Sequence, residues 1–101
     1  FYHILNKTEC LIGNSSSGVR EGCFIGVKNI CIGSRQSGRE IGKNTFMIKN
    51  KEKTLLSLLK KILKSKTKKI RDYRYGDGYA AERIVKILKN INFKYEKKLK
   101  Y

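Results

Sequence analysis

The sequence predicts an α/β fold in which a parallel sheet is flanked by helices. Two observations carry that expectation. Short apolar runs alternate with helical stretches along the 101 residues, and the runs are continuous, as in strands buried on both faces. A hydrophobic fraction of 40% supplies one modest core, and the length fits a single domain.

Taken in order, residues 1–7 read as the end of a helix, and Cys10-Leu11-Ile12-Gly13 as a first buried strand. The polar turn Asn14-Ser15-Ser16-Ser17 follows, then a short helix over 18–24 that Gly26 ends. Residues 29–33 make a second strand. Residues 34–44 form an eleven-residue loop with three basic side chains and one acidic, a length that usually signals function or mobility. Thr45-Phe46-Met47-Ile48 is the third strand.

Asn50 is placed to cap a helix in which Leu55, Leu58, Leu59, Ile62 and Leu63 recur at helical spacing, with Lys60, Lys61 and Lys64 on the other face. That pattern fits a docking face with a solvated lysine side better than a membrane-binding helix. Residues 65–74 read as a basic linker. Asp77 is placed to cap a last helix with Ala80, Ala81, Ile84, Val85 and Leu88 facing inward. Residues 1–92 therefore form the folded portion, and 93–101, with four lysines and one glutamate, a frayed basic tail.

Charge and cysteines narrow the function classes. The net charge is +16, and it is uneven: residues 1–50 carry 7 basic and 3 acidic side chains, residues 51–101 carry 17 and 5. Such a balance invites a nucleic-acid reading. However, 18 of the basic residues are Lys and 6 are Arg, with no Pro or Trp and abundant Ile, Asn and Tyr, as an AT-biased coding sequence imposes on any soluble protein. Base reading favours Arg forks, so no specific nucleic-acid partner is expected. No apolar run is long enough for a membrane span, and none is expected. Cys10, Cys23 and Cys31 lack the C-x-x-C spacing and His3 is the lone histidine, so neither a disulfide framework nor a metal site is expected. Starting at Phe1 without an initiator Met, the sequence reads as a piece of a longer chain.

Three segments carry chemistry. In open parallel sheets ligands bind beyond the carboxyl ends of the strands, and a helix starting there presents unpaired N–H groups to an anion. Ser15, Ser16 and Ser17 add hydroxyl donors, and Gly18 would let a phosphate approach the backbone; the same serines can equally serve as helix caps. Glu21 offers two acceptor oxygens that match the vicinal hydroxyls of a ribose, or simply complements the helix dipole. Arg35 and Arg39, in the loop after the second strand, bring guanidinium groups to the same sheet edge, where they suit phosphate or a stacked base. A solvated charged loop would look the same.

Read in series, Asn14-Ser15-Ser16-Ser17-Gly18-Val19-Arg20-Glu21, then Ile32-Gly33-Ser34-Arg35-Gln36-Ser37-Gly38-Arg39-Glu40 with Gly42 and Asn44, then Tyr75-Gly76-Asp77-Gly78, closely resemble the hydrolysing UDP-N-acetylglucosamine 2-epimerases. The resemblance covers roughly residues 9–92. It implies the end of the second of two Rossmann-like domains of the glycosyltransferase-B type around a central cleft. Carried over residue by residue, it implies that Ser15 and Ser16 hold the nucleotide diphosphate, that Glu21 binds the ribose hydroxyls and that Arg35 also binds the nucleotide. Arg39 and Asp77 receive no role.

The implied partner is UDP-N-acetylglucosamine or UDP, with no cofactor and no metal, in a cytoplasmic enzyme that is a homo-oligomer at full length. The family's catalytic carboxylates and histidine lie mainly upstream of this stretch. Departures are Lys28, Asn29 and Cys31 within a run that usually reads Gly-x-Pro-Val-x-Asn, and Tyr79 where Asn is usual. They bear on stability and full activity more than on nucleotide binding. Two rivals remain at this level: a related sugar-nucleotide enzyme, either a non-hydrolysing 2-epimerase or a glycosyltransferase, and a basic binding module without catalysis.

Overall fold

The computed structural model describes residues 1–92; the basic tail at 93–101 lies outside the described residues. The order is α1 (Tyr2–Lys7), β1 (Cys10–Gly13), α2 (Ser16–Val19), α3 (Glu21–Ile25), β2 (Lys28–Ile32), β3 (Thr45–Ile48), α4 (Glu52–Lys64) and α5 (Ala80–Asn90). The three strands form a parallel sheet in the order β1-β2-β3, with Ile12 opposite Ile30 and Ile30 opposite Phe46. The α/β class with a parallel sheet flanked by helices is thus the observed one.

The central strand explains the continuous apolar run. Successive side chains of a strand point to opposite faces, so Asn29 and Cys31 share one face of β2 and Ile30 takes the other. All three are buried, which requires cover on both sides. α2 lies over the Asn29 face, while α4 packs against β1 and β2. The core consists of Leu5, Val19, Cys23, Val27, Ile30 and Cys31. Burial pushes the thiols of Cys23 and Cys31 up from their ordinary pKa.

Several expectations need correction. The single helix over 18–24 is two short helices, starting two residues earlier and broken at Arg20, whose φ of −93° and ψ of −70° depart from regular helical values while staying in the right-handed region. β2 runs one residue ahead of the expected 29–33, because Lys28 pairs with Cys10 at the start of the ladder. α4 is capped by Lys51 in extended conformation without a side-chain hydrogen bond, so Asn50 is not the cap. Its apolar face is only half covered: Leu55, Leu58, Leu59 and Ile62 are half-buried and Leu63 is exposed. The N-cap of α5 is Tyr79 and not Asp77. Nor does α5 bury an inward face; Ile84, Val85 and Leu88 are each about half exposed, at 55%, 49% and 49%, because no described element covers them.

Residues 66–73 lack regular structure, as expected of a linker, yet they are strapped to α3. The Asp72 N–H donates to the Cys23 carbonyl at 3.1 Å, the Arg71 guanidinium lies 5.7 Å from the Phe24 ring centre, and Tyr73 meets the same ring edge-on. Gly26 allows this crossing. Its φ of +84° ends α3 in the left-handed region, and a Cβ there would stand 2.6 Å from the Ile70 carbonyl oxygen.

Candidate functional site

Because β1 and β2 are parallel, their carboxyl ends open onto one edge of the sheet, and the two polar turns that follow them meet there. Ser15 is extended (φ −74°, ψ 146°) and caps α2: its hydroxyl accepts the Ser17 N–H at 3.3 Å and lies 3.0 Å from the Ser17 hydroxyl. Ser16, half-buried, is the first residue of the helix. With only four residues in α2, no long-helix dipole backs this turn. What it can offer an anion is local, namely first-turn N–H groups and hydroxyls.

Arg35 leaves the end of β2 in a turn closed by the Ser37 N–H on the Ser34 carbonyl at 2.9 Å, and its side chain is exposed. The two turns are joined by the neighbouring Gln36, 3% exposed, whose side-chain amide donates to the Asn14 carbonyl at 2.9 Å. Sequence reading placed Gln36 inside a motif without giving it a role, since a glutamine in a charged loop looks like a surface residue. Nothing in composition or periodicity marks it as buried.

Glu21 begins α3, so it sits one helical turn beyond the serines. Its Oε2 is buried with no hydrogen-bond partner among the described residues. Glu21 lines a cavity of about 420 Å³ with Tyr2, Arg20, Phe24, Tyr75 and Ala81. Ser15, Ser16 and Arg35 do not line that cavity. The structure therefore brings the serine turn and the Arg35 loop together through Gln36, and places Glu21 in an adjoining concavity.

The third motif closes the arrangement. The Tyr75 hydroxyl donates to the Glu40 carbonyl, and Arg74 donates to the Ile41 carbonyl at 2.9 Å while pairing with Asp72 at 2.9 Å and Glu40 at 3.4 Å. The hydrogen bond from Arg74 holds the Asp72 carboxyl below its usual range. Asp77 is engaged elsewhere. It accepts from Arg83 at 2.9 Å and from the Tyr79 N–H at 3.0 Å, which lowers its pKa to about 2 and ties the approach to α5 onto the helix.

Gly18 proves to serve packing. A Cβ there would lie 2.3 Å from Asn29 Oδ1, beneath α2, so the missing side chain makes room for a buried amide instead of a phosphate. That amide belongs to a polar network, in which Asn29 donates to the Thr45 hydroxyl at 3.2 Å, Thr45 donates to Asn44 at 3.2 Å, and Asn44 donates to the carbonyls of Gly18 and Val27 at 3.3 and 2.8 Å. Of the departures from the family pattern, Asn29 is in this network, Cys31 is in the core, Lys28 lines a cavity beside Glu9 and Lys69, and Tyr79 caps α5.

The fold and this edge are those of the parallel α/β proteins that bind ligands beyond the ends of their strands. Over residues 1–89 the chain matches the UDP-N-acetylglucosamine 2-epimerase family, and it belongs to that family. It is 33% identical over 91 residues to a UDP-N,N'-diacetylbacillosamine 2-epimerase (hydrolyzing) of Legionella pneumophila, an alignment covering 90% of this chain and 24% of that protein. It is also 43% identical over 44 residues to a UDP-N-acetylglucosamine 2-epimerase of Neisseria meningitidis serogroup B, covering 44% of this chain and 12% of that one. The chain thus spans about a quarter of the length of the Legionella relative.

Proposed function

We propose that this chain supplies the UDP-holding wall of a hydrolysing UDP-N-acetylglucosamine 2-epimerase acting in sialic-acid-type nonulosonate synthesis. The observation that carries the reading is Glu21, which lines a cavity of about 420 Å³ and whose Oε2 is buried with no hydrogen-bond partner among the described residues. An unpaired buried acceptor is costly to maintain, and a ribose hydroxyl would satisfy it. The name of the Legionella relative supports the hydrolysing part of the reading, and that of the Neisseria relative its UDP-N-acetylglucosamine substrate.

In that reaction a base removes the C2 proton of the sugar while the C1–O bond to UDP breaks, leaving a glycal. Water then adds across the double bond, its hydroxyl to C1 and a proton to C2 on the opposite face, giving N-acetylmannosamine and free UDP. Elimination is favoured by whatever stabilises the departing diphosphate. Ser15 and Ser16, with first-turn N–H groups, take that part; Arg35 adds a charge-assisted contact; Glu21 orients the nucleoside. The base for C2 belongs to the other wall of the cleft, in a second domain of the glycosyltransferase-B arrangement. The 101 residues alone are therefore expected to release no UDP from the sugar nucleotide in a sustained assay.

UDP binding tests the reading. Glu21→Ala and Arg35→Ala should each weaken UDP by about 5- to 150-fold, equivalent to about 1–3 kcal/mol. Lys60→Ala, on the solvent side of α4, should stay within about 0.5 kcal/mol of the parent. If both site variants bind UDP as the parent does, Ser15 is a helix cap and nothing more.

A further inference from the structure

Gln36 presents an energetic anomaly. Its side chain is 3% exposed, and the amide N–H is spent on the Asn14 carbonyl, yet Oε1 is buried with no partner among the described residues. Half-paired buried amides are disfavoured, and an apolar side chain of the same shape relieves the unpaired oxygen at the cost of one hydrogen bond. The partner it holds, the Asn14 carbonyl, belongs to a residue that is exposed as a whole, although the bond between them is part-buried. A glutamine that leaves half of its own amide unpaired is thus a poor choice for stability alone. A fold tolerates such a local cost where a site requires it.

The hydrogen bond has one geometric effect. It ties the residue before the Ser15 cap to the residue after Arg35, across 22 positions of sequence. Among the described residues the other hydrogen bonds within the two turns are short-range, Ser17 to Ser15 on one side and Ser37 to Ser34 and Arg39 to Gln36 on the other, with Gly33 tied to Ile48 of β3 where the second turn begins.

We propose that Gln36 is a positioning residue that sets the serine turn and Arg35 at a fixed spacing for the two ends of one diphosphate. This rests on the reading that UDP binds at this edge. On that reading the diphosphate is the ligand part that would span both turns, whereas a nucleoside alone would engage the Glu21 cavity and be indifferent to their spacing. Preorganising two loops raises affinity by removing the ordering cost at binding.

The test is Gln36→Met, which keeps the unbranched shape and removes both polar atoms. Nitrogen-15 NMR titrations of the 101-residue chain with UDP and with uridine, together with thermal unfolding, provide the readouts. The expected result is an unfolding midpoint equal to or above the parent's, UDP affinity about tenfold lower, and uridine affinity within about twofold. In a Ser15→Ala background the same substitution should lower UDP affinity by less than about threefold, since the turn it positions is already impaired.

Parental UDP affinity in Gln36→Met, or an equal loss for UDP and uridine, overturns the proposal. A fall in the unfolding midpoint, or failure to fold in both Gln36→Met and the shorter Gln36→Asn, also overturns it, because the amide would then hold the fold and not the site. The two levels separate cleanly. If the parent shows no UDP binding, the nucleotide reading falls and takes this proposal with it. If Arg35→Ala weakens UDP and Gln36→Met does not, the proposal alone falls.

Discussion

Gly18→Ala isolates the reason for a glycine in the serine motif. A Cβ at this position would stand 2.3, 2.6 and 2.7 Å from Oδ1, Cγ and Nδ2 of Asn29, roughly 1 Å inside ordinary contact. The Asn29 side chain is 2% exposed and hydrogen-bonded to Thr45, so it cannot swing into solvent. Overpacking of this kind costs about 1–3 kcal/mol, and displacing the amide from Thr45 adds about 1–3 kcal/mol for groups left unpaired. The better helix propensity of alanine returns about 1 kcal/mol. The net loss should be about 1–5 kcal/mol, a fall of at least about 4 °C in the unfolding midpoint for a chain of this size. Calorimetry or circular dichroism measures it. Adding Asn29→Ala removes all three crowded atoms, so the double variant should recover at least about 1 kcal/mol relative to the sum of the singles. A Gly18→Ala loss under about 0.5 kcal/mol, or strict additivity with Asn29→Ala, would refute the packing account and return the glycine to the ligand.

Two further outcomes are expected. Gly26→Ala and Gly33→Ala both force alanine into the left-handed region (φ +84° and +83°), at about 1–2 kcal/mol each. Only the first also collides with the Ile70 backbone, so urea unfolding should find Gly26→Ala the more damaging, and equal losses would show that the 66–73 crossing does not form. The Asp77 carboxyl, lowered to about 2 first by its hydrogen bond from Arg83 and then by the Tyr79 N–H, contributes stability that is complete above the ordinary value of 3.8 and is lost as the pH falls through about 2. Carbon-13 titration should show its midpoint rising toward 3.8 in Arg83→Gln; an unmoved midpoint would assign the shift to another cause.

Local signals made most of the fold legible. β1 and β3 lie where apolar runs are bounded by turn residues, and β2 is one residue from its expected place. What escaped is governed by tertiary contact. The helix breaks at Arg20 although arginine is itself a good helix former. The polar network of Asn29, Asn44 and Thr45 lies beneath α2, where a hydrophobic reading expects apolar residues, because a hydrogen-bonded amide can be buried at little net cost. The inward face expected of α5 was a sound inference from spacing, but spacing names a face without naming its cover.

At the candidate site, order along the chain was legible and physical connection was not. The first and second motifs meet through Gln36 and the Asn14 carbonyl, and the second and third through Tyr75 and Arg74 on the backbone of Glu40 and Ile41. Tyr75 then lines the cavity of Glu21, which returns the third motif to the first. Between β2 and β3 the chain has no helix or strand, so beyond its local turns its conformation is set in part by these few side-chain-to-backbone bonds. A backbone held that way can be loosened at one contact without unfolding the sheet, since Val19, Ile30 and Cys31 of the core share none of those groups, whereas the Cys23 thiol lies within reach of Arg74. Substitutions at Gln36 and Tyr75 should accordingly separate from core substitutions, altering the geometry of the edge while leaving the sheet intact.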